Sequence, residues 1–110
     1  SDDVRDSPGL EITLLLHKAG AEVLVHDPIA IAGVNKKHPE LATSENLAEA
    51  FVGVEAVVLA TEWKEYINLD PSAISGIANK LVVDGRNVLD VKKWQQAGFK
   101  VLALGRTITN

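Results

Sequence analysis

LVVDGRN, residues 81–87, is the stretch from which the fold of this chain can be read. Leu81, Val82 and Val83 make a short apolar run, rich in β-branching, of the kind that forms a strand buried on both faces of a parallel sheet. The run breaks at Asp84-Gly85, a turn pair that delivers Arg86 and Asn87 at the strand's carboxyl end. Open α/β sheets bind ligands along that edge. A glycine there lets a ligand come close to the backbone, and a forked, permanently charged arginine suits phosphate. The same residues also fit a plain loop, with Asp84 and Asn87 satisfying turn amides and Arg86 in a surface ion pair.

On the carboxyl side, Asp90 is placed to cap a helix from about Val91 to Ala97. Residues 99–104 form a last strand that ends at Gly105-Arg106, and residues 107–110 are expected to be loose. On the amino side, Asp70-Pro71 is another capped start, with Ile74, Ile77 and Ala78 facing inward, and residues 64–68 form a short helix or turn. AVVLA, residues 56–60, is a second buried strand, followed by Thr61-Glu62-Trp63. Ser44 is expected to cap a helix through Phe51 with Leu47, Ala48, Phe51 and Val52 as its buried stripe, and Gly53 ends it.

Further back, Leu41-Ala42 is a very short edge strand, and residues 29–37 form a short helix interrupted by Gly33 and closed by His38-Pro39. Residues 21–25 make a strand ending at His26-Asp27-Pro28. Ser7-Pro8 opens the first helix, hydroxyl at the N-cap and proline at the first helical position. Ile12, Leu15, Leu16 and Ala19 then recur at helical spacing until Gly20.

Strands alternating with helices of these lengths predict βαβ units and a parallel sheet with right-handed crossovers. The expected fold is therefore α/β: one domain over residues 1–110, a doubly wound Rossmann-like sheet in a three-layer α/β/α arrangement. The first helix opens behind a polar loop, residues 1–6, with no strand ahead of it. The chain is thus expected to lack the first, central strand of its own sheet. Residues 21–25 and 57–60 would then flank an empty slot roughly 10 Å wide instead of pairing with each other.

Composition narrows the function. A net charge of −4 over 110 residues leaves no basic stripe with which to bind nucleic acid. The longest apolar runs fall well short of a membrane span, so no membrane association is expected. Zero cysteine excludes disulfides, thiolate metal sites and cysteine nucleophiles within these residues and is compatible with the cytoplasm. Zero methionine suggests a processed or excised piece. No G-x-G-x-x-G, Walker loop, H-E-x-x-H or G-x-S-x-G occurs. Asp27 and Asp84, both at strand ends, would allow a stand-alone, receiver-like phosphoacceptor module. The last strand, however, ends in Gly105-Arg106 where such a module needs lysine, and no adjacent acidic pair follows a strand.

Four motifs stand in order along the chain: DDVRDSP at residues 2–8, HDP at 26–28, TEW at 61–63 and DGRNVLD at 84–90. AGFKVLALGR follows at residues 97–106. Together they resemble the C-terminal, UDP-binding domain of the nucleotide-sugar dehydrogenases, the UDP-glucose/GDP-mannose dehydrogenase family, across essentially the whole chain. The TEW and DGRN pair is more similar to the UDP-glucose 6-dehydrogenase branch than to the UDP-N-acetylmannosamine branch, and GDP-mannose dehydrogenase is a further branch.

The resemblance implies a cytoplasmic, NAD-dependent oxidoreductase that takes UDP-glucose to UDP-glucuronate through a cysteine-bound thiohemiacetal, in a homo-oligomer. It also implies that Arg86, the arginine of the DGR motif, contacts the UDP-sugar. Arg5, matching the arginine of the family's DDxRESP motif, would approach NAD held mainly by an N-terminal domain. Asp6 stands where the family has glutamate. The family's catalytic cysteine, NAD-binding glycine loop and substrate-binding lysine have no counterpart here, so the implied partners are an N-terminal NAD-binding domain and a central domain. No catalytic or metal-binding residue is assigned within the chain. Thr61, Glu62 and Trp63 remain open between a motif role and packing.

Overall fold

The computed structural model describes residues 8–27 and 31–110. They form two compact units, the first running to Ala50 and the second from Phe51. The first unit contains α1 (Pro8–Lys18), β1 (Leu24–Val25), α2 (Ile31–Lys37), β2 (Ala42–Thr43) and α3 (Leu47–Ala50). The second contains β3 (Val57–Leu59), α4 (Lys64–Ile67), a 3-10 turn (Pro71–Ala73), β4 (Leu81–Asp84), α5 (Val91–Gln96) and β5 (Lys100–Ala103). Every strand pairing is parallel, as the alternation of strands and helices predicts for a Rossmann-like α/β chain.

In the first unit β1 pairs with β2, Leu24 level with Ala42 and Val25 with Thr43, and the bond from Ser44 N–H to Val25 O extends the ladder by one step. Among the described residues β1 has no other partner strand. The strand is shorter than residues 21–25, because the amide of Ala21 still bonds back to Leu16 O and closes α1. Gly20 sits in the left-handed region at φ 98° and donates to His17 O, the glycine stop that its position predicts.

The small core of this unit is Val34 and Leu41, with Leu10 and Leu14 packed against it. The inward stripe of α1 is therefore not the Ile12, Leu15, Leu16, Ala19 set, and Leu15 is 68% exposed. Apolar residues lie around most of this helix, so periodicity alone does not choose the face. α2 runs through Gly33 without interruption, since one interior glycine costs only about 1 kcal/mol relative to alanine. The cap of α3 is Asn46, whose Oδ1 accepts from Glu49 N–H at 3.0 Å, while Ser44 Oγ accepts from Asn46 N–H one step earlier. α3 has no buried residue of its own, and Val52 is exposed; from the expected stripe only Phe51 is buried.

In the second unit the strand order is β3-β4-β5, with β4 central. Val57, Val82 and Val101 form one row and Leu59, Asp84 and Ala103 the next row on the same face. Val82 and Val101 are almost completely buried, as are Trp94 of α5 and Phe99 just before β5. α5 lies against β5, and the Trp94 and Phe99 rings meet edge to face with centroids 4.8 Å apart. Lys80 spans the far end of this packing, donating from Nζ to Ala97 O at 2.9 Å with its ammonium 5.9 Å from the Phe99 ring centre.

Two expected caps are present. Asp90 accepts from Lys93 N–H at the start of α5. Asp70 accepts from both the hydroxyl and the amide of Ser72, at 2.6 and 3.0 Å, which holds its carboxyl below the usual carboxylate range. Behind Asp70, however, the helix is a single 3-10 turn, and Ala78 is exposed. Its continuation is diverted because Ala78 and Asn79 N–H both bond to Val54 O.

The tail is docked, contrary to expectation. Asn110 places its side-chain amide on β5, accepting from Val101 N–H at 2.8 Å and donating to Val101 O at 3.0 Å. Gln95 of α5 adds a bond to Thr109 O.

β3 and β4 come close together at Gly85. Its N–H bonds to Leu59 O at 2.9 Å, and a Cβ built on it would meet the same oxygen at 2.9 Å. The room left by its missing side chain is thus filled by the neighbouring strand rather than kept for a ligand. Gly85→Ala should destabilise the protein by about 1–3 kcal/mol through this clash. Where backbone and space permit, the same exchange stabilises by reducing the entropy of the unfolded chain. Thermal unfolding decides between the signs, and an unchanged or higher Tm would show that β3 and β4 can separate at no cost.

Candidate functional site

The carboxyl ends of β3 and β4 carry the residues that the sequence singles out. Asp84, the last residue of β4, is fully buried at 0% exposure. Its two carboxylate oxygens accept from the loop that follows, Oδ1 from Arg86 N–H at 3.0 Å and Oδ2 from Leu89 N–H at 2.9 Å. A buried carboxylate has to be hydrogen-bonded in this way to be tolerated. Asp84 therefore folds its own chain into a turn, as the plain-loop alternative anticipates.

The turn is fastened on both sides. Gly85 N–H joins it to Leu59 O at the end of β3. On the other side Asn87, in the left-handed region at φ 58°, donates from Nδ2 to Leu104 O just beyond β5 at 2.9 Å. Asn87 thus serves a neighbouring strand end and not the turn's own amides.

Arg86 is the residue this arrangement presents. Its backbone is held by Asp84 and its side chain projects with 44% exposure. Among the described residues its Nη2 lies 3.6 Å from Oε2 of Glu62, itself 52% exposed. An ion pair this open is worth about 0–1 kcal/mol. The ladder explains the meeting: Leu59 is level with Asp84, so Glu62 and Arg86, three and two residues further on, leave the sheet side by side.

Trp63 follows Glu62, immediately before α4. Its indole Nε1 is buried and has no hydrogen-bond partner among the described residues. One turn on, Tyr66 is the buried residue of α4, an anchor that the TEW motif does not announce.

The other candidates belong to the first unit or lie outside the described residues. His26 and Asp27 follow β1 in the first unit, half-buried, and both are engaged in interactions. Arg5 lies outside the described residues. No group of three or more His, Asp or Glu that could hold a metal occurs among the described residues. A receiver-like role would need Asp84 open to a phosphoryl donor, whereas both its oxygens are committed to backbone amides in a buried spot.

The site can therefore present one preset guanidinium fork at a sheet's carboxyl edge, suited to a diphosphate or carboxylate. The sequence missed the Glu62 partner and the tie from Asn87 to Leu104. A parallel register aligning Asp84 with Leu59 would have predicted the first; nothing local predicts the second.

Comparison with known proteins gives a consistent result. The family model described as the UDP-glucose/GDP-mannose dehydrogenase family, UDP binding domain, matches residues 1–91. A UDP-glucose 6-dehydrogenase from Pseudomonas aeruginosa is 35% identical over 113 residues, covering 96% of this chain and 25% of the relative. A UDP-N-acetyl-D-mannosamine dehydrogenase from Methanocaldococcus jannaschii is 33% identical over 108 residues, covering 94% of this chain and 24% of the relative. The crystal structure of an NDP-N-acetyl-D-galactosaminuronic acid dehydrogenase from Methanosarcina mazei matches with a TM-score of 0.77 at 32% identity, over 96% of this chain and 22% of that one. The chain spans about a quarter of the length of the curated relatives it matches.

Asp84 organises the turn through its two acceptor oxygens. Asp84→Asn keeps the shape but replaces one acceptor by a donor, leaving an amide of Arg86 or Leu89 unsatisfied. A loss of about 1–3 kcal/mol should follow, read as a lower urea midpoint. An unchanged midpoint would mean that the turn is held by its outer ties alone.

Proposed function

The chain belongs to the UDP-glucose/GDP-mannose dehydrogenase family, as its UDP binding domain, and we propose that it holds the diphosphate of a UDP-sugar on Arg86. The single observation that carries this is the turn after β4. Its backbone is fastened at Asp84, Leu59 and Leu104, while the guanidinium stays in solvent on a weak counter-ion. The backbone here loses little further freedom on binding, and the fork can bond two phosphate oxygens at once, where lysine would offer a point charge.

The whole protein would then be an NAD-dependent UDP-glucose 6-dehydrogenase converting UDP-glucose to UDP-glucuronate in the cytoplasm, as a homo-oligomer. Support for glucose comes from the TEW and DGRN motifs and from several relatives named UDP-glucose 6-dehydrogenase, at 33–35% identity. NAD would supply hydride acceptance. No glycine-rich dinucleotide loop occurs in these residues, so this domain does not fit NAD as its main host. Arg5 is the residue proposed to reach toward it. N-terminal NAD-binding and central domains, and the thiolate the chemistry needs, would be supplied by the rest of the enzyme.

In the full-length protein, Arg86→Lys should weaken UDP-sugar binding by about 1.5–3 kcal/mol despite keeping the charge. Isothermal titration with UDP and with UDP-glucose measures this, and unchanged affinity and turnover would return Arg86 to a surface ion pair. Arg5→Ala should instead raise the KM for NAD with a smaller effect on UDP. The purified 110-residue chain should form no NADH from UDP-glucose and NAD, and any NADH formed would overturn the proposed division of labour.

A further inference from the structure

We propose that Glu62 is a displaceable counter-ion for Arg86: it holds the guanidinium over the ends of β3 and β4 until a nucleoside diphosphate takes the arginine from it. This rests on the reading of Arg86 as the diphosphate contact. Glu62 then acts through Arg86 and is a positioning residue, not a catalytic one.

The geometry is that of a loose, replaceable pair. One nitrogen faces one oxygen at 3.6 Å, just beyond hydrogen-bonding reach, with both side chains about half exposed. Nothing else holds the guanidinium down among the described residues, yet the backbone on either side of the pair is fixed. Gly85 N–H ties the Arg86 turn to Leu59 O, and the amides of Tyr66 and Ile67 bond back to Trp63 O, anchoring the segment that carries Glu62. The two charges therefore meet by construction.

A diphosphate offers the fork several oxygens and more negative charge than a single carboxylate, so it wins the exchange. A carboxylate left in contact with the fork would repel the incoming anion, so binding requires the pair to part. The pairing also has a use before binding. It keeps a long, flexible arginine near its working position, and it sets a small electrostatic threshold that favours ligands of high negative charge over neutral nucleosides.

Titration of the full-length protein with UDP at low ionic strength tests this. Glu62→Gln should tighten UDP binding about two- to fivefold, the range an exposed pair of this kind can supply. Uridine, which lacks the diphosphate, should gain nothing. In an Arg86→Ala background the effect of Glu62→Gln on UDP should vanish, because no pair remains to be broken. Weaker or unchanged UDP binding in Glu62→Gln would overturn the proposal. So would an equal gain for uridine, or a gain that persists without Arg86, which would mark general repulsion and not a latch. If Arg86→Ala itself leaves UDP affinity unchanged, the underlying diphosphate reading has failed as well.

Discussion

The carboxylate of Asp84 is the constraint on which the second unit depends. A charge with no exposure must be surrounded by donors, and the donors available to it are the amides of Arg86 and Leu89. Satisfying them bends the chain immediately after β4, brings Gly85 against Leu59 and sends the backbone on to Asp90, where α5 is capped. The same bend sets Asn87 in the left-handed region and aims its amide at Leu104. The turn thus follows from a single buried acid, and Arg86 is placed as a consequence.

That arrangement separates what is held from what is free. The backbone at residues 84–89 is tied to both neighbouring strand ends, while the arginine tip stays in solvent on an open ion pair. In the proposed function this suits the part of the ligand that a UDP-sugar dehydrogenase family shares. The diphosphate is common to its substrates whatever the sugar. This chain is about equally similar to relatives named for glucose and for N-acetylmannosamine, 35% and 33% identical respectively.

Much of the fold was legible because several signals agreed at each place. LVVD was a strand by its apolar run, and Asp70 and Asp90 were caps by their position before a helical start. Where one signal acted alone it misled. Spacing in α1 suggested a stripe through Leu15, but so many positions are apolar that only the packing of Leu10 and Leu14 selects the face. Ser44 and Asn46 are both good caps, and the choice fell to the one three residues before Glu49 N–H. At the site, Arg86 was readable as a charged residue at a strand's carboxyl end. Glu62 was not readable as its partner, because that contact depends on the register of strands distant in sequence. The resemblance to a known family supplied the ligand class; the residues alone favoured a surface ion pair.

The bonds from Asn110 to Val101 bear on how this molecule behaves among copies of itself. In a parallel strand alternate residues direct both backbone groups to opposite sides, and Val101 turns its N–H and C=O away from β4. A side-chain amide offers one acceptor and one donor in the spacing of a peptide unit, so Asn110 answers both groups as another strand would. An uncovered sheet border is a template for edge-to-edge aggregation, and a single asparagine here closes part of that border. At Val101 the outward backbone groups of β5 are thus already satisfied and offer no pairing site to a second strand.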